Sequence, residues 1–406
     1  MTTNWFKLLK TATDSPARLG ELNTAHGIVE TPVFMPVGSQ ATVKAITPEH
    51  LREIGIKMIL ANTYHLYLRP GVEIVKELGG IHHFMDWDRA VLTDSGGFQI
   101  FSLSHLRDIS EEGVKFRSHI DGSEHFITPE LDIHLQERIG ADIIMALDIC
   151  PSFQDSPDRV RESTDRTHRW AERCLKAHSG SNQALFGIIQ GGFNPEWRRE
   201  SARIISSFEF PGFALGGLSL GEPKEMTRNM IEVTTPLLPE DKPRYLMGVG
   251  SPEDILEGVT HGIDMFDSVL PTRVARNGAL FTAQGRLNIR NAKWKEFKSP
   301  LDPTCNCYMC RHFSAAYIHH LFRAEELLAY SLATIHNLQF MYNFMIQLRQ
   351  ALTQGAFNDF KKEFLAGYQS TDETVRIAQK KKWIENRERA DDNNVHNNSK
   401  PYLGLS

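Results

Sequence analysis

DIIMAL at 142–147, PDRVRESTDRTHRWAERCLKAH at 157–178 and LFGII at 185–189 form one uninterrupted strand–helix–strand reading. Past the leading Asp142 the two short runs carry no polar side chain, as strands covered on both faces do not. The segment between them is amphipathic. The same pattern extends outward in both directions. Upstream lie VFMPV (33–37), KMILA (57–61) and AVLT (90–93); downstream lie FALG (213–216), YLMGV (245–249) and GIDMF (262–266). Helical segments fill most of the gaps, at 47–54, 70–78, 129–139, 195–206, 222–235 and 252–259. Several open with proline just inside the start, as in Thr47-Pro48-Glu49, Thr128-Pro129-Glu130 and Ser251-Pro252-Glu253, which suits a helix N-terminus. Eight strand-then-helix repeats predict an α/β fold, a closed (β/α)8 barrel of TIM type. A doubly wound open sheet is the alternative.

Two stretches depart from the repeat. Residues 113–128 alternate with period two around Asp121-Gly122, a hairpin signal, and 278–290 read as a second strand–turn–strand. The expected organisation is a barrel over 10–300, a metal-binding subdomain with closing helices over 301–368, and a polar, mobile tail over 369–406, where the composition turns charged and Asn-rich.

The 406 residues carry a net charge of −5, with 41% hydrophobic and 23% charged side chains. That balance excludes a generic nucleic-acid binder, so contact with nucleic acid would need a local patch. No apolar run approaches the ~20 residues of a membrane span. The N-terminus has no signal-peptide layout, which implies a cytoplasmic protein. Five cysteines, three of them crowded together, argue for metal ligation over disulfides. Cys305-x-Cys307-x-x-Cys310 supplies three soft ligands, and structural zinc takes four. His312, His319, His320 and His336 are candidates for the fourth, and spacing does not choose among them. A four-ligand site has no open position, so one structural zinc ion per chain is expected.

Barrel chemistry sits at the C-terminal ends of the strands. Here those ends carry Asp94, Asp148, Gln190, Gly216-Gly217, Gly248 and Asp267. One such carboxylate ordinarily caps the following helix; three carboxylates and an amide on one rim make a site. In Thr93-Asp94-Ser95-Gly96-Gly97-Phe98-Gln99 the glycines allow close backbone approach to a ligand, and Phe98 offers a stacking face. From Arg273 to Lys298 seven basic residues stand against one acid, a local patch suited to phosphates.

TDSGGFQ (93–99), GIIQGG (187–192), Gly-Gly-Leu-Ser (216–219), YLMGVG (245–250), FDSVLPTR (266–273), ARNG (275–278) and the cysteine cluster together resemble the bacterial-type tRNA-guanine transglycosylases, the queuine tRNA-ribosyltransferase family. The resemblance runs from about residue 10 to 368. It implies that Asp267 is the nucleophile on the ribose and that Asp94 is the general acid/base, a division of labour like that of retaining glycosidases. Ser95, Gly96 and Gly97 would line the base pocket. Asp148, Gln190 and the Gly217 N–H would read the purine edge with Leu218 and Cys150 nearby, and Phe98 and Met247 would sandwich the base. Gly248, Gly250, Thr272, Arg273 and Arg276 would contact the RNA, and His336 would be the fourth zinc ligand. The implied substrates are a tRNA with guanine at the wobble position and 7-aminomethyl-7-deazaguanine, and the implied assembly is a homodimer. Two departures bear on the incoming base: Ile149 stands where bacterial members commonly have Glu, and Leu220 where they have Val. Queuine is therefore the rival base. A non-catalytic tRNA-binding subunit of the same fold is the rival function; it should lack the nucleophile, whereas Asp94 and Asp267 are both present.

Overall fold

The computed structural model describes residues 4–103, 107–179 and 182–371, with 374 and 378. Among these, eight strands share one sheet: β1 (Val33–Pro36), β2 (Met58–Asn62), β3 (Ala90–Asp94), β4 (Ile143–Met145), β5 (Ala184–Ile189), β6 (Gly212–Leu215), β7 (Arg244–Leu246) and β8 (Met265–Ser268). Every neighbouring pair is parallel, in the order β1-β8-β7-β6-β5-β4-β3-β2. A parallel bridge between Val37 and Leu60 joins the two ends of that order, and the Gly38 N–H donates to the Leu60 carbonyl at 2.6 Å. The sheet is thus a barrel and not the open alternative. Its last strand lies later than expected, at Met265–Ser268, so Asp267 belongs to the strand itself.

The helices start where the proline signals placed them. Thr47, Thr128, Ser156 and Ser251 each accept a backbone N–H from three residues on, with proline in the first turn, which satisfies one of the orphan donors of a helix start. The 21-residue helix Pro157–Ala177 buries Val160, Thr164, Thr167, Trp170, Ala171 and Cys174, a stripe at three- and four-residue spacing that faces the sheet.

Strand side chains alternate between two cores. Met58, Leu60, Leu92, Ile143, Met145, Phe186, Ile188, Ala214, Tyr245 and Met265 fill the lumen. Ile59, Val91, Ile144, Leu185, Ile189, Leu215, Leu246 and Phe266 pack under the helices. The lumen is tight: a Cβ on Gly212 would stand 2.4 Å from the Phe186 ring, so the small residue makes room for the large one across the sheet.

A three-stranded antiparallel sheet, Phe6–Thr11, Arg18–Thr24 and Gly27–Thr31, precedes the barrel. The sequence reading did not predict it. Phe6, Leu22 and Val29 join the lumen core, so this sheet closes the end of the barrel where the strands begin. Arg18 fastens it: Nε and Nη2 donate to the two carboxylate oxygens of Asp264 at 2.8 and 2.6 Å, both side chains being buried.

The expected hairpins are present at Val114–Arg117/Glu124–Ile127 and Ala279–Thr282/Gly285–Asn288, the former with an added strand at Arg107–Ile109. Past residue 300 come helices Tyr308–His312, Ala315–Arg323, Leu327–Gln354 and Phe357–Gly367. The third crosses back to the barrel, where Arg349 Nη1 donates to the Pro32 carbonyl at 3.0 Å. The expected tail lies outside the described residues from 372 on, apart from 374 and 378.

Replacing Asp264 by Asn should leave the Arg18 guanidinium buried without its counter-charge. A loss of ~3–5 kcal/mol is expected in urea unfolding, the usual result of breaking a buried pair. A loss under about 1 kcal/mol would mean that the pair behaves as a surface ion pair does.

Candidate active site

The inward register carried two residues further builds the rim. Leu60 is followed by Asn62, Leu92 by Asp94, Ile188 by Gln190, Tyr245 by Met247 and Met265 by Asp267. Strand pleat alone therefore brings these side chains to one level of the lumen. Asp148 is outside this rule, because β4 ends at Met145 and an irregular segment carries the carboxylate in. The structure brings Asp94, Asp148, Gln190 and Asp267 to one rim, as expected, and adds Asn62 and Tyr245, which the sequence reading missed.

Each carboxylate is held by a specific donor. Asn62 Nδ2 donates to Asp94 Oδ1 at 2.6 Å. Gln190 Nε2 donates to Asp148 Oδ2 at 2.6 Å. The Tyr245 hydroxyl and the Gly248 N–H both donate to Asp267 Oδ1, at 2.5 and 2.7 Å. Among the described residues Oδ2 of Asp267 makes no hydrogen bond, so one oxygen is fixed and the other is available. Burial dominates the electrostatics. It raises Asp94 to about 7, against the Asn62 hydrogen bond and with help from the Asp267 and Asp148 charges. It raises Asp148 to about 6, opposed by Gln190. Burial also raises Asp267, while Gly248 and Tyr245 favour its ionised form. Burial and the Asp267 charge push the Tyr245 phenol up, which keeps it a neutral donor.

Glycines set the spaces between these groups. A Cβ on Gly97 would lie 2.7 Å from the Asp148 carbonyl, and Cβ atoms on Gly216 and Gly217 would lie 2.5 Å from the amide nitrogen and oxygen of Gln190. Gly96 adopts φ +77° between Ser95, which is buried, and Gly97. Phe98 is 39% exposed, available for stacking, and Met247 is half-buried at the lumen core. Leu218 is buried and Cys150 half-buried. Glu222 is buried within its own turn, accepting the Ser219, Leu220 and Gly221 N–H groups at 2.5, 2.8 and 3.0 Å and the Thr227 hydroxyl. Ile149 is buried in the helix-side core, its N–H donating to Thr167 Oγ1 at 3.0 Å.

After β8 the chain turns into helix Leu270–Arg276. Thr272 is buried, and its carbonyl accepts Arg276 Nη1 at 2.9 Å. Burial first, and then the neighbouring Arg286 charge, lowers Arg273; burial and Arg273 lower Arg276. Arg273 and Arg276 thus stand on the helix that follows Asp267, with Arg286 near Arg273. Gly250 packs against β8, where a Cβ would stand 2.3 Å from that of Ser268.

Farther along, Cys305, Cys307, Cys310 and His336 converge, with all four ligand atoms within 4.8 Å of one another. The three sulfurs stand 3.7, 3.5 and 3.4 Å from His336 Nδ1. A tetrahedral zinc with Zn–S of ~2.3 Å and Zn–N of ~2.0 Å would set that separation near ~3.5 Å. His336 Nε2 donates to the Phe281 carbonyl at 2.8 Å, which turns Nδ1 toward the sulfurs and fixes the tautomer a metal needs. The residues present fit a zinc ion.

A family model described as queuine tRNA-ribosyltransferase matches residues 13–370. The chain belongs to the queuine tRNA-ribosyltransferase family, the tRNA-guanine transglycosylases of queuosine biosynthesis. Queuine tRNA-ribosyltransferases of Dehalococcoides mccartyi, Thermoanaerobacter sp. and Moorella thermoacetica are similar to it. The first is 60% identical over 379 residues, covering 93% of this chain and 97% of that protein. The second is 57% identical over 364 residues, covering 89% and 97%. The third is 55% identical over 365 residues, covering 90% and 98%. Among the described residues no helix is long and apolar enough to cross a membrane.

In this transglycosylase the rim carries a stability cost that depends on pH. Asp94 ionises near 3.8 when unfolded and at about 7 when folded. The folded state therefore holds the proton more tightly, and stability falls as pH rises across that interval. Asp94→Asn keeps the acceptor for Asn62 and removes the ionisation. It should raise Tm at pH 8 and leave it nearly unchanged at pH 4. A lower Tm at pH 8 would contradict this electrostatic account.

Proposed function

We propose that this transglycosylase replaces guanine at the wobble position of a tRNA anticodon by 7-aminomethyl-7-deazaguanine, through a covalent intermediate on Asp267. The observation that carries this reading is the Asp267 carboxylate, with Oδ1 held by Tyr245 and Gly248 across the rim from Asp94. Oδ2 attacks the ribose C1′ as the bond from C1′ to guanine N9 breaks, and Asp94 gives its proton to the leaving base. The incoming base returns N9–H to Asp94 and attacks C1′, and the bond to Asp267 breaks. A group that titrates at about 7 suits both directions of that transfer near neutrality.

Asp148, Gln190 and the Gly217 N–H read the purine edge, with Ser95, Gly96, Gly97, Cys150 and Leu218 lining the pocket and Phe98 and Met247 on the two faces of the base. The Ser219 N–H turned to Glu222 sends the Leu218 carbonyl of the same peptide the other way, an acceptor suited to an ammonium on the incoming base. Gly248, Gly250, Thr272, Arg273 and Arg276 contact the tRNA. One zinc ion per chain, held by Cys305, Cys307, Cys310 and His336, cross-links the region after the barrel and takes no part in the chemistry. The working division is a barrel at 10–300, a zinc subdomain at 301–368 and a tail, acting as a cytoplasmic homodimer, where its tRNA substrate is.

Asp267→Ala should abolish both labelled-guanine exchange into tRNA and the denaturation-resistant RNA adduct. Persistence of the adduct would move the nucleophile elsewhere. Cys307→Ala should lower bound zinc from about one ion per chain to near none and destabilise the folded chain, since structural zinc binding is coupled to folding. Wild-type protein purified without stoichiometric zinc would contradict the metal assignment.

A further inference from the structure

Arg198 is the least expected charge in the molecule. It is fully buried, and burial lowers it to about 10. Among the described residues no carboxylate lies within ion-pair distance, and the buried Glu222 charge acts on it only from farther away. It sits near the start of helix Pro195–Ser206, where the helix dipole disfavours a cation. Its donors go to backbone: Nε to the Gly192 carbonyl at 2.8 Å and Nη1 to the Ile189 carbonyl at 3.0 Å. Its third nitrogen, Nη2, is buried with no hydrogen-bond partner among the described residues. An unpaired buried cation is among the costlier arrangements in a fold, and such a cost is tolerated chiefly where a site requires it.

The surroundings indicate which site. The two clamped carbonyls lie on either side of Gln190-Gly191. The Gln190 N–H is in turn taken by Ser201 Oγ of the same helix at 3.2 Å. The backbone of Gln190 is therefore pinned from both sides by one helix, which aims its amide at Asp148. Nη2 meanwhile faces the neighbouring turn: a Cβ on Gly217 would lie 3.5 Å from it and 2.5 Å from Gln190 Oε1. That oxygen is itself buried without a partner. One guanidinium thus binds the strand end that carries the edge-reading amide and faces the glycine whose N–H completes the purine set.

We propose that Arg198 is a positioning residue for base recognition, fixing Gln190 and the Gly217 turn relative to one another so that both meet the same purine edge. The inference rests on the reading of Asp148, Gln190 and Gly217 as the base-binding set. Lysine cannot replace the guanidinium here, because a single ammonium does not span two carbonyls in a fixed fork.

The test is steady-state exchange of labelled base into tRNA by the full-length protein, with Arg198→Lys, Gln190→Ala and the double variant. Arg198→Lys, and the uncharged Arg198→Met as a second variant, each matched to the wild-type fold by circular dichroism, should raise KM for the base about tenfold, the scale of one charge-assisted hydrogen bond. KM for tRNA should stay within about twofold. In the Gln190→Ala background the same substitution should change base KM by less than about twofold, since residues acting through one another are not additive. The inference is overturned if Arg198→Lys leaves base KM unchanged, raises both KM values together, or multiplies the Gln190→Ala defect by its full factor. Wild-type protein without exchange would overturn the reading of the site and this inference with it; an active wild type with any of the other results overturns the inference alone.

Discussion

A closed parallel sheet gives each strand one inward position in every two residues, and those positions must fill a lumen with no room for solvent. Here the lower layers are apolar, from Val33, Met58 and Ala90 up to Ile188 and Tyr245. The layer above them is Asn62, Asp94, Gln190, Met247 and Asp267. The rim carboxylates thus stand on an apolar plug. That placement, more than any pairwise contact, raises all three carboxylates. Burial leaves water little access to their charge, so the donors and charges that reach them decide how each one differs from the others.

The differences follow from donor chemistry. Asp267 receives a phenol and a backbone N–H on the same oxygen, and both favour its ionised form. Asp94 is raised first by burial; it receives the Asn62 amide and the Gly96 N–H but also feels the Asp267 and Asp148 charges, so it reaches about 7. Two carboxylates in one lumen are thereby driven apart, one suited to carry negative charge and the other to carry a proton. This is the pattern expected of an acid/base group and its partner.

How far the sequence disclosed this depends on whether a residue obeys the strand period. Asp94, Gln190 and Asp267 continue the inward register of their strands, so their convergence was readable from strand ends. Tyr245 obeys the same register but lies one layer down inside an apolar run, where a tyrosine reads as core; the signal was its position two residues before Met247. Asp148 breaks the register and was found only because a carboxylate closes the run. The N-terminal sheet escaped because its strands are mostly half-exposed and so lack a clear apolar pattern. His336 escaped spacing for a different reason: a long helix carries it back to the cysteines, and local sequence does not encode where a helix docks. The family resemblance supplied it.

The docking of that helix ties the cluster of Cys305, Cys307, Cys310 and His336 to the basic helix that follows Asp267. Beside His336, Asn337 is fully buried. Its oxygen accepts the Phe281 N–H at 2.9 Å, and its nitrogen donates to the Pro271 and Ala279 carbonyls at 2.9 and 3.0 Å. His336 itself donates to the Phe281 carbonyl. Two adjacent helical residues therefore grip both sides of one strand residue and reach the first turn of helix Leu270–Arg276, which follows Asp267 and carries Arg273 and Arg276. Buried amides this fully satisfied permit one arrangement of the groups they join. The cysteine cluster lies far along the chain from the rim, yet only a few hydrogen bonds separate it from the basic helix. A metal there would stiffen the surface that would receive the phosphates, while the carboxylates that would do the chemistry are set independently by the barrel.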